Sequence, residues 1–320
     1  MKAVLYILLC VTFTSYAQDI RNLEVEAIIN GIAKDNVYDS EGIGIGGKKS
    51  NQRSRYDRLR DKATIEELVA ATSHQNPVVR CYAFEALVEK KDTSTCQILL
   101  HHLSDTSIVS THMGCLLGST SVKYFILRLY NLHSKQFQDI KGSIDSFVLS
   151  DIEQEPSNLP LEIQHQNGQD YKRETLIDLE PKPEYYQRLK TIYDKKSNIY
   201  PTLIVPIAKY NNLSDTSLIL SSLKGSNEWN LNGLLASIEL PHSSYLPILT
   251  KQLREEMKQS YPSHEYSRLL LLSLGNHEKP ETIILFQEVL SLDDFDYKVV
   301  LYDAISNKPY FKDVLDQIDF

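Results

Sequence analysis

Asn76-Pro77-Val78-Val79-Arg80-Cys81-Tyr82-Ala83-Phe84-Glu85-Ala86-Leu87 reads as a tight turn running straight into a helix. Asn76 is a residue type that caps a helix by accepting a backbone N–H, and Pro77 is pre-set for the first helical position. Val79, Ala83 and Leu87 then recur at four-residue spacing and make one apolar face. A helical pattern also precedes the turn, from Ile65 to Thr72. One such hairpin cannot bury its own apolar face, so the stretch predicts further helices stacked against it.

Such helices are legible on both sides. Val25, Ile28, Ile29 and Ile32 mark a first helix by their i, i+3, i+4, i+7 spacing. Residues 35–51 read as a Gly-rich, charged loop, and helical patterns then fall near 53–73, 78–90, 94–103, 107–117 and 121–132. The pattern lapses over 151–183, which carries Pro156, Pro160, Gly168, Pro181 and Pro183. Between Asp151 and Glu184 nine acidic residues face three basic ones, which predicts an exposed insertion or connector.

Helices return near 183–196, 200–211, 215–224, 228–239, 243–259, 263–274, 280–291, 295–306 and 309–317. Here Leu218, Leu220, Leu223, Leu234 and Leu235 align at a constant offset of 66 with Ile284, Phe286, Val289, Val300 and Leu301. One intermediate pair lies between them, so the offset is two helix pairs of about 33 residues each. The expected fold is therefore all-α, an α-solenoid of antiparallel helix pairs in one run or two blocks. The expected division is a signal peptide at 1–17, an N-terminal block at 18–150, the acidic segment at 151–183 and a C-terminal block at 184–320.

Asn76-Pro77-Val78-Val79-Arg80 with Ala83, Ala86 and Leu87 resembles the inner-helix pattern of HEAT repeats, Asp/Asn-Pro-x-Val-Arg followed by Ala and Leu. The resemblance covers residues 64–90. The next unit, Asp105-Thr106-Ser107-Ile108-Val109, keeps the capping residue and loses both the Pro and the Arg. It implies that Asn76, Pro77, Val79, Arg80, Ala83 and Leu87 are structural, with Arg80 reaching a neighbouring turn. It also implies that the helix after Pro77 lines a concave binding surface.

The start of the chain bears on compartment. Met1-Lys2, the apolar run from Ala3 to Thr14 and Ser15-Tyr16-Ala17 have the three-part form of a secretory signal with cleavage after Ala17. Acylation at Cys10 is the alternative, disfavoured by the bulky Leu9 before it. No later segment has the roughly 18 apolar residues of a spanning helix, so the expectation is an exported protein without stable membrane insertion. Against 34 basic residues stand 42 acidic ones, which argues against a nucleic-acid partner. Tyrosine is abundant, at 19 residues, and positions such as Tyr82 and Tyr302 read as core or near-core packing. Cys81, Cys96 and Cys115 are odd in number and read as free thiols, two of them in apolar segments.

Chemistry-bearing motifs are sparse. Gly42-Ile43-Gly44-Ile45-Gly46-Gly47-Lys48-Lys49 approaches a phosphate loop but has Lys49 where the Mg²⁺-holding hydroxyl belongs and no preceding strand. Cys96, His101, His102, His112 and Cys115 fall close together without zinc-ligand spacing. The adjacent acids Glu66-Glu67 and Asp293-Asp294 do not share a helix face and read as caps. What remains is the basic run Lys48, Lys49, Arg53, Arg55 and Arg58 with Tyr56, a candidate surface for an acidic partner. The expected function is a non-catalytic scaffold for a protein partner, with no metal or cofactor. The alternative is an enzyme on a helical-repeat scaffold acting on envelope or extracellular polysaccharide, which would set two carboxylates in a groove.

Overall fold

The computed structural model describes residues 22–156, 168–225, 228–259, 262–292 and 294–318; the expected signal peptide and Cys10 lie outside them. The chain is mostly helical, with one small three-stranded sheet. It divides into two compact units, residues 1–150 with 159–175 and residues 151–158 with 176–320.

The first unit opens with α1 (22–35), which buries Val25, Ile28 and Ile32 as its spacing predicts. Residues 35–51, expected as loop, instead contain β1 (Tyr38–Ile43). Beyond it Gly44 and Gly47 take positive φ, folding the Gly-rich stretch back so that Ile43 pairs antiparallel with Lys48. The helical pattern at 53–73 is two helices, α2 (Asn51–Lys62) and α3 (Ile65–Ala71). Thr64 separates them: its hydroxyl accepts from the Glu67 N–H while the Glu67 carboxylate accepts from its own N–H at 2.7 Å.

Helix α4 (Pro77–Glu89) starts where the sequence places it, with the Asn76 Oδ1 accepting from Val78 and Val79 N–H. Every residue from Val78 to Val88 is buried. Helices α2 and α3, α5 (Thr95–His102), α6 (Val122–Leu132) and the sheet surround it. A helix covered all round is a core element, which corrects the expectation that it lines an open concave face. Arg80, expected to reach a neighbouring turn, donates to the His74 and Gln75 carbonyls of its own turn and pairs with Asp105 at 3.0 Å in the turn after α5.

The expected helix at 107–117 is a β-hairpin, β2 (Ile108–Gly114) and β3 (Leu116–Ser121). Ile108-Val109-Ser110-Thr111 alternates exposed and buried positions, a period of two carried by β-branched residues. Sheet order is β1-β2-β3, with β1 parallel to β2 and β2 antiparallel to β3. A 3-10 turn at Ser134–Ile140 leads into α7 (Lys141–Gln154), and α8 (Gln169–Ile177) follows the undescribed residues 157–167. The described parts of 151–183 are not an exposed connector: Ile152, Lys172, Leu176 and Leu179 are all buried. One of the acids there, Glu153, receives two bonds from Arg188, at 2.6 and 2.8 Å.

In the second unit α9 (Pro183–Lys196), α10 (Ile204–Ala208), α11 (Thr216–Leu223), α12 (Glu228–Glu239), α13 (Leu246–Glu256), α14 (His264–Gly275), α15 (Pro280–Leu290) and α16 (Phe295–Ile305) alternate, with α17 (Lys312–Leu315) last. The even-numbered helices from α10 to α16 pack one against the next, and α11, α13 and α15 each pack against the helix that follows. Each odd-numbered helix from α9 to α15 buries an i, i+4 pair: Tyr185/Leu189, Ile219/Leu223, Leu249/Leu253 and Leu285/Val289. Helix ends are linked across pairs, as where Asn276 donates to the Ile238 carbonyl and accepts from Lys308. Gly233 is required where α12 crosses α11, because a Cβ there would lie 2.7 Å from the Leu223 backbone nitrogen. Tyr302, unlike Tyr82, is exposed rather than near-core.

His277, just past α14, is buried with its Nε2 unpartnered. Burial first, then the nearby Lys308, holds its pKa below the ordinary 6.5. The unfolded chain therefore takes up a proton that the native state resists, so this stability is present above pH 6.5 and lost as pH falls below it. Between pH 7.5 and 5.5 the urea midpoint should drop more for the wild type than for His277→Gln; equal drops would count against it.

Candidate binding cleft beside the free sheet edge

The basic run expected to form a surface is mostly consumed inside the first unit. Arg53 is buried, its Nη1 2.9 Å from Glu85 Oε1 and its guanidinium 4.1 Å from the centre of the Tyr56 ring. Tyr56 is fully enclosed and stacks on Tyr82 at 5.1 Å. Neither residue can meet a partner, which corrects that assignment. Lys49 pairs with Asp57, Arg55 with Asp35, and Arg58 with Glu24 at 3.2 Å. Lys48 stays exposed on the Gly-rich turn.

The metal candidates are dispersed among other tasks. His102 Nδ1 lies 3.1 Å from Asp105 Oδ2, and His112 Nδ1 lies 3.7 Å from Asp39 Oδ1 on the neighbouring strand. Burial, outweighing its Asp105 bond, holds His102 below the ordinary imidazole range. Asp105 itself sits low: burial would raise it, but bonds from Ser107 and the Arg80 charge prevail. Cys81 is buried, Cys96 half-buried and Cys115 exposed on the β2–β3 turn; all three are free thiols. Among the described residues no cluster of three or more His, Cys, Asp or Glu could hold a metal ion. Glu67 and Asp294 cap α3 and α16, while Asp293 lies outside the described residues.

A concave site does exist, in a place the sequence reading assigned to a helix. A cleft of about 430 Å³ runs beside β3 in the first unit. Leu116 to Thr120 of β3 and Thr111 and Met113 of β2 form one side; Phe125 and Arg128 of α6, with Gly168 and with Asp170 and Tyr171 of α8, form the other. Gly118 leaves the floor open, and a Cβ there would make only an ordinary contact with the Thr111 hydroxyl, at 3.5 Å. Apolar groups make up most of the wall, and Thr111, Ser119, Thr120, Arg128, Asp170 and Tyr171 supply polar ones, a mixture that binding sites share.

Two of those polar groups have no protein partner among the described residues. Thr120 is 8% exposed, and its buried Oγ1 makes no hydrogen bond with them. Arg128, half-buried, makes no ion pair among the described residues. Burial first raises the pKa of the Tyr171 phenol, while the positive charge of Arg128 lowers it, so the two groups feel each other across the cleft. Leu116 and Leu117 remain more than 70% exposed at its rim. The signal that could have found this site was the β-branched alternation of 108–111 followed by Gly114 and Gly118, a strand–turn–strand spacing hidden by the leucines between them. No protein-family model, no curated protein and no solved structure matches this chain.

Proposed function

We propose that the chain is an exported, non-catalytic helical-repeat scaffold of the α-solenoid, HEAT-like kind that binds a protein partner. The observation that carries this reading is the second unit's ladder. Its buried pairs at 185/189, 219/223, 249/253 and 285/289 put equivalent contacts in successive helix pairs. Repeats of this sort stack neighbour on neighbour and present extended surfaces to other proteins. The cleft in the first unit supports binding as the task. The polysaccharide-enzyme reading needs two carboxylates free to face a groove. The buried acids instead have structural partners: Glu85 meets Arg53 and Tyr38, Asp145 meets Lys141, and Asp215 meets Tyr186 and Lys190.

Photo-crosslinking tests the proposal. A photoreactive residue placed at Leu116, Lys251 or Arg268 in turn should give discrete protein adducts when the full chain is expressed in its native cells. Absence of adducts at all three positions, or release of reducing ends from envelope polysaccharide by the purified chain, would overturn it.

A further inference from the structure

The cleft beside β3 has a feature that narrows its occupant. All five residues from Leu116 to Thr120 line it. Successive residues of a strand point to opposite faces, so a cleft over one face would touch only every second side chain. Thr111 and Met113 of β2 pair with Gly118 and Leu116 and share their face, so the cleft covers that face and, through Leu117 and Ser119, reaches the outer edge of the strand.

Among the described residues that edge is unpaired: β3 is the last strand of the sheet and pairs there only with β2, from Leu116↔Met113 to Ser121↔Ile108. Among the described residues nothing bonds to the outward backbone groups of Leu116–Thr120. An exposed edge flanked by apolar walls is a template for another strand, because its N–H and C=O groups have no other partner once water is displaced. Met113 and Leu116 supply apolar wall on the sheet side, and Phe125 and Tyr171 supply it on the helix side. Arg128 adds a cation that makes no ion pair among the described residues, although Asp170 lines the same cleft, and its planar guanidinium suits a carboxylate.

We propose that the β3 edge binds an extended peptide segment of a partner protein as a fourth strand, with a carboxylate of that segment meeting Arg128. The inference rests on the scaffold reading and names the partner's chemistry: a segment with apolar residues at alternate positions and an acidic side chain or a free C-terminus at one end. Main-chain bonds to β3 supply affinity, and the apolar walls and Arg128 supply selectivity. Five residues of edge span about 17 Å, which suits a segment of about five residues.

The test uses the full chain as bait for a displayed library of random octapeptides with free C-termini, followed by fluorescence polarisation with the selected peptides. Those peptides should carry alternate apolar residues and an acid. Arg128→Glu should weaken them about tenfold or more, as loss of a charged hydrogen bond implies, while leaving the circular dichroism spectrum unchanged. Replacing the peptide's acid by lysine should restore binding to that variant. N-methylation along the peptide should abolish binding at alternate positions only, the signature of strand pairing. The assignment is overturned if no peptide is selected, if Arg128→Glu leaves affinity unchanged, or if N-methylation is tolerated throughout. Should crosslinks at Lys251 or Arg268 persist in any of those cases, the scaffold reading survives and only the β3 assignment fails.

Discussion

Arg53→Ala is expected to destabilise the first unit by roughly 3–5 kcal/mol, because it strands a buried carboxylate. Glu85 sits in the middle of α4, buried, and takes bonds from Arg53 Nη1 and Tyr38 Oη, each at 2.9 Å. Burial already raises its pKa above the ordinary carboxylate value with Arg53 in place. Removing the cation raises it further, so Glu85 becomes neutral in the variant over more of the pH range. An acid with a raised folded pKa favours the native state below its unfolded pKa, and that contribution disappears as pH rises through the folded pKa. The deficit of Arg53→Ala should therefore grow from pH 5 to pH 8. Arg53→Met with Glu85→Gln should recover much of the loss by removing both charges. Urea unfolding followed by far-UV circular dichroism reads all three. A single variant within about 1 kcal/mol of the wild type, or a deficit flat with pH, would show that the pair is not what secures α4.

That same pair shows where the sequence stops being legible. Capping and periodicity are local, and they placed α1, α4, α5, α6 and all the major helices of the second unit to within a few residues. Arg53 looked like part of a solvated basic run because its partner, Glu85, lies 32 residues away. Charge in a helix pattern reads as surface unless the opposite charge is known to be folded against it. The β2–β3 hairpin was missed for a different reason. Leu116 and Leu117 supply apolar content that mimics a helical stripe, yet both are exposed. The binding cleft was therefore illegible as well, since it depends on that strand having an edge. Arg80 was legible because its carbonyl acceptors lie in the preceding turn and Asp105 was already recognisable as the next capping residue.

The offset of 66 was right about the helices and half wrong about the residues, and this sets up the second large effect. Leu223 and Val289 are buried equivalents, but Ile284, matched to Leu218, is 55% exposed. The true inward partners fall one residue later, at Ile219 and Leu285, and keep the same offset. A helix repeat can be found by its length while the face is misassigned by one position, about 100° of rotation. Leu253→Ala, on the intervening pair, should cost about 2–5 kcal/mol, because the site is closed and refills poorly. Ile284→Ala should change stability by no more than about 0.5 kcal/mol, as an exposed side chain does. The loss at Leu253 should also be local in a telling way. Gln252 donates to the Leu223 carbonyl at 2.7 Å, and Arg254 bonds Glu288 on α15, so α13 is tied to the pairs on both sides. In a nearest-neighbour stack, amide exchange should quicken first in α11, α12, α14 and α15 and only later in α9. Uniform quickening through the second unit would instead mean that it unfolds as one cooperative body, and the repeat would then describe its sequence without governing its stability.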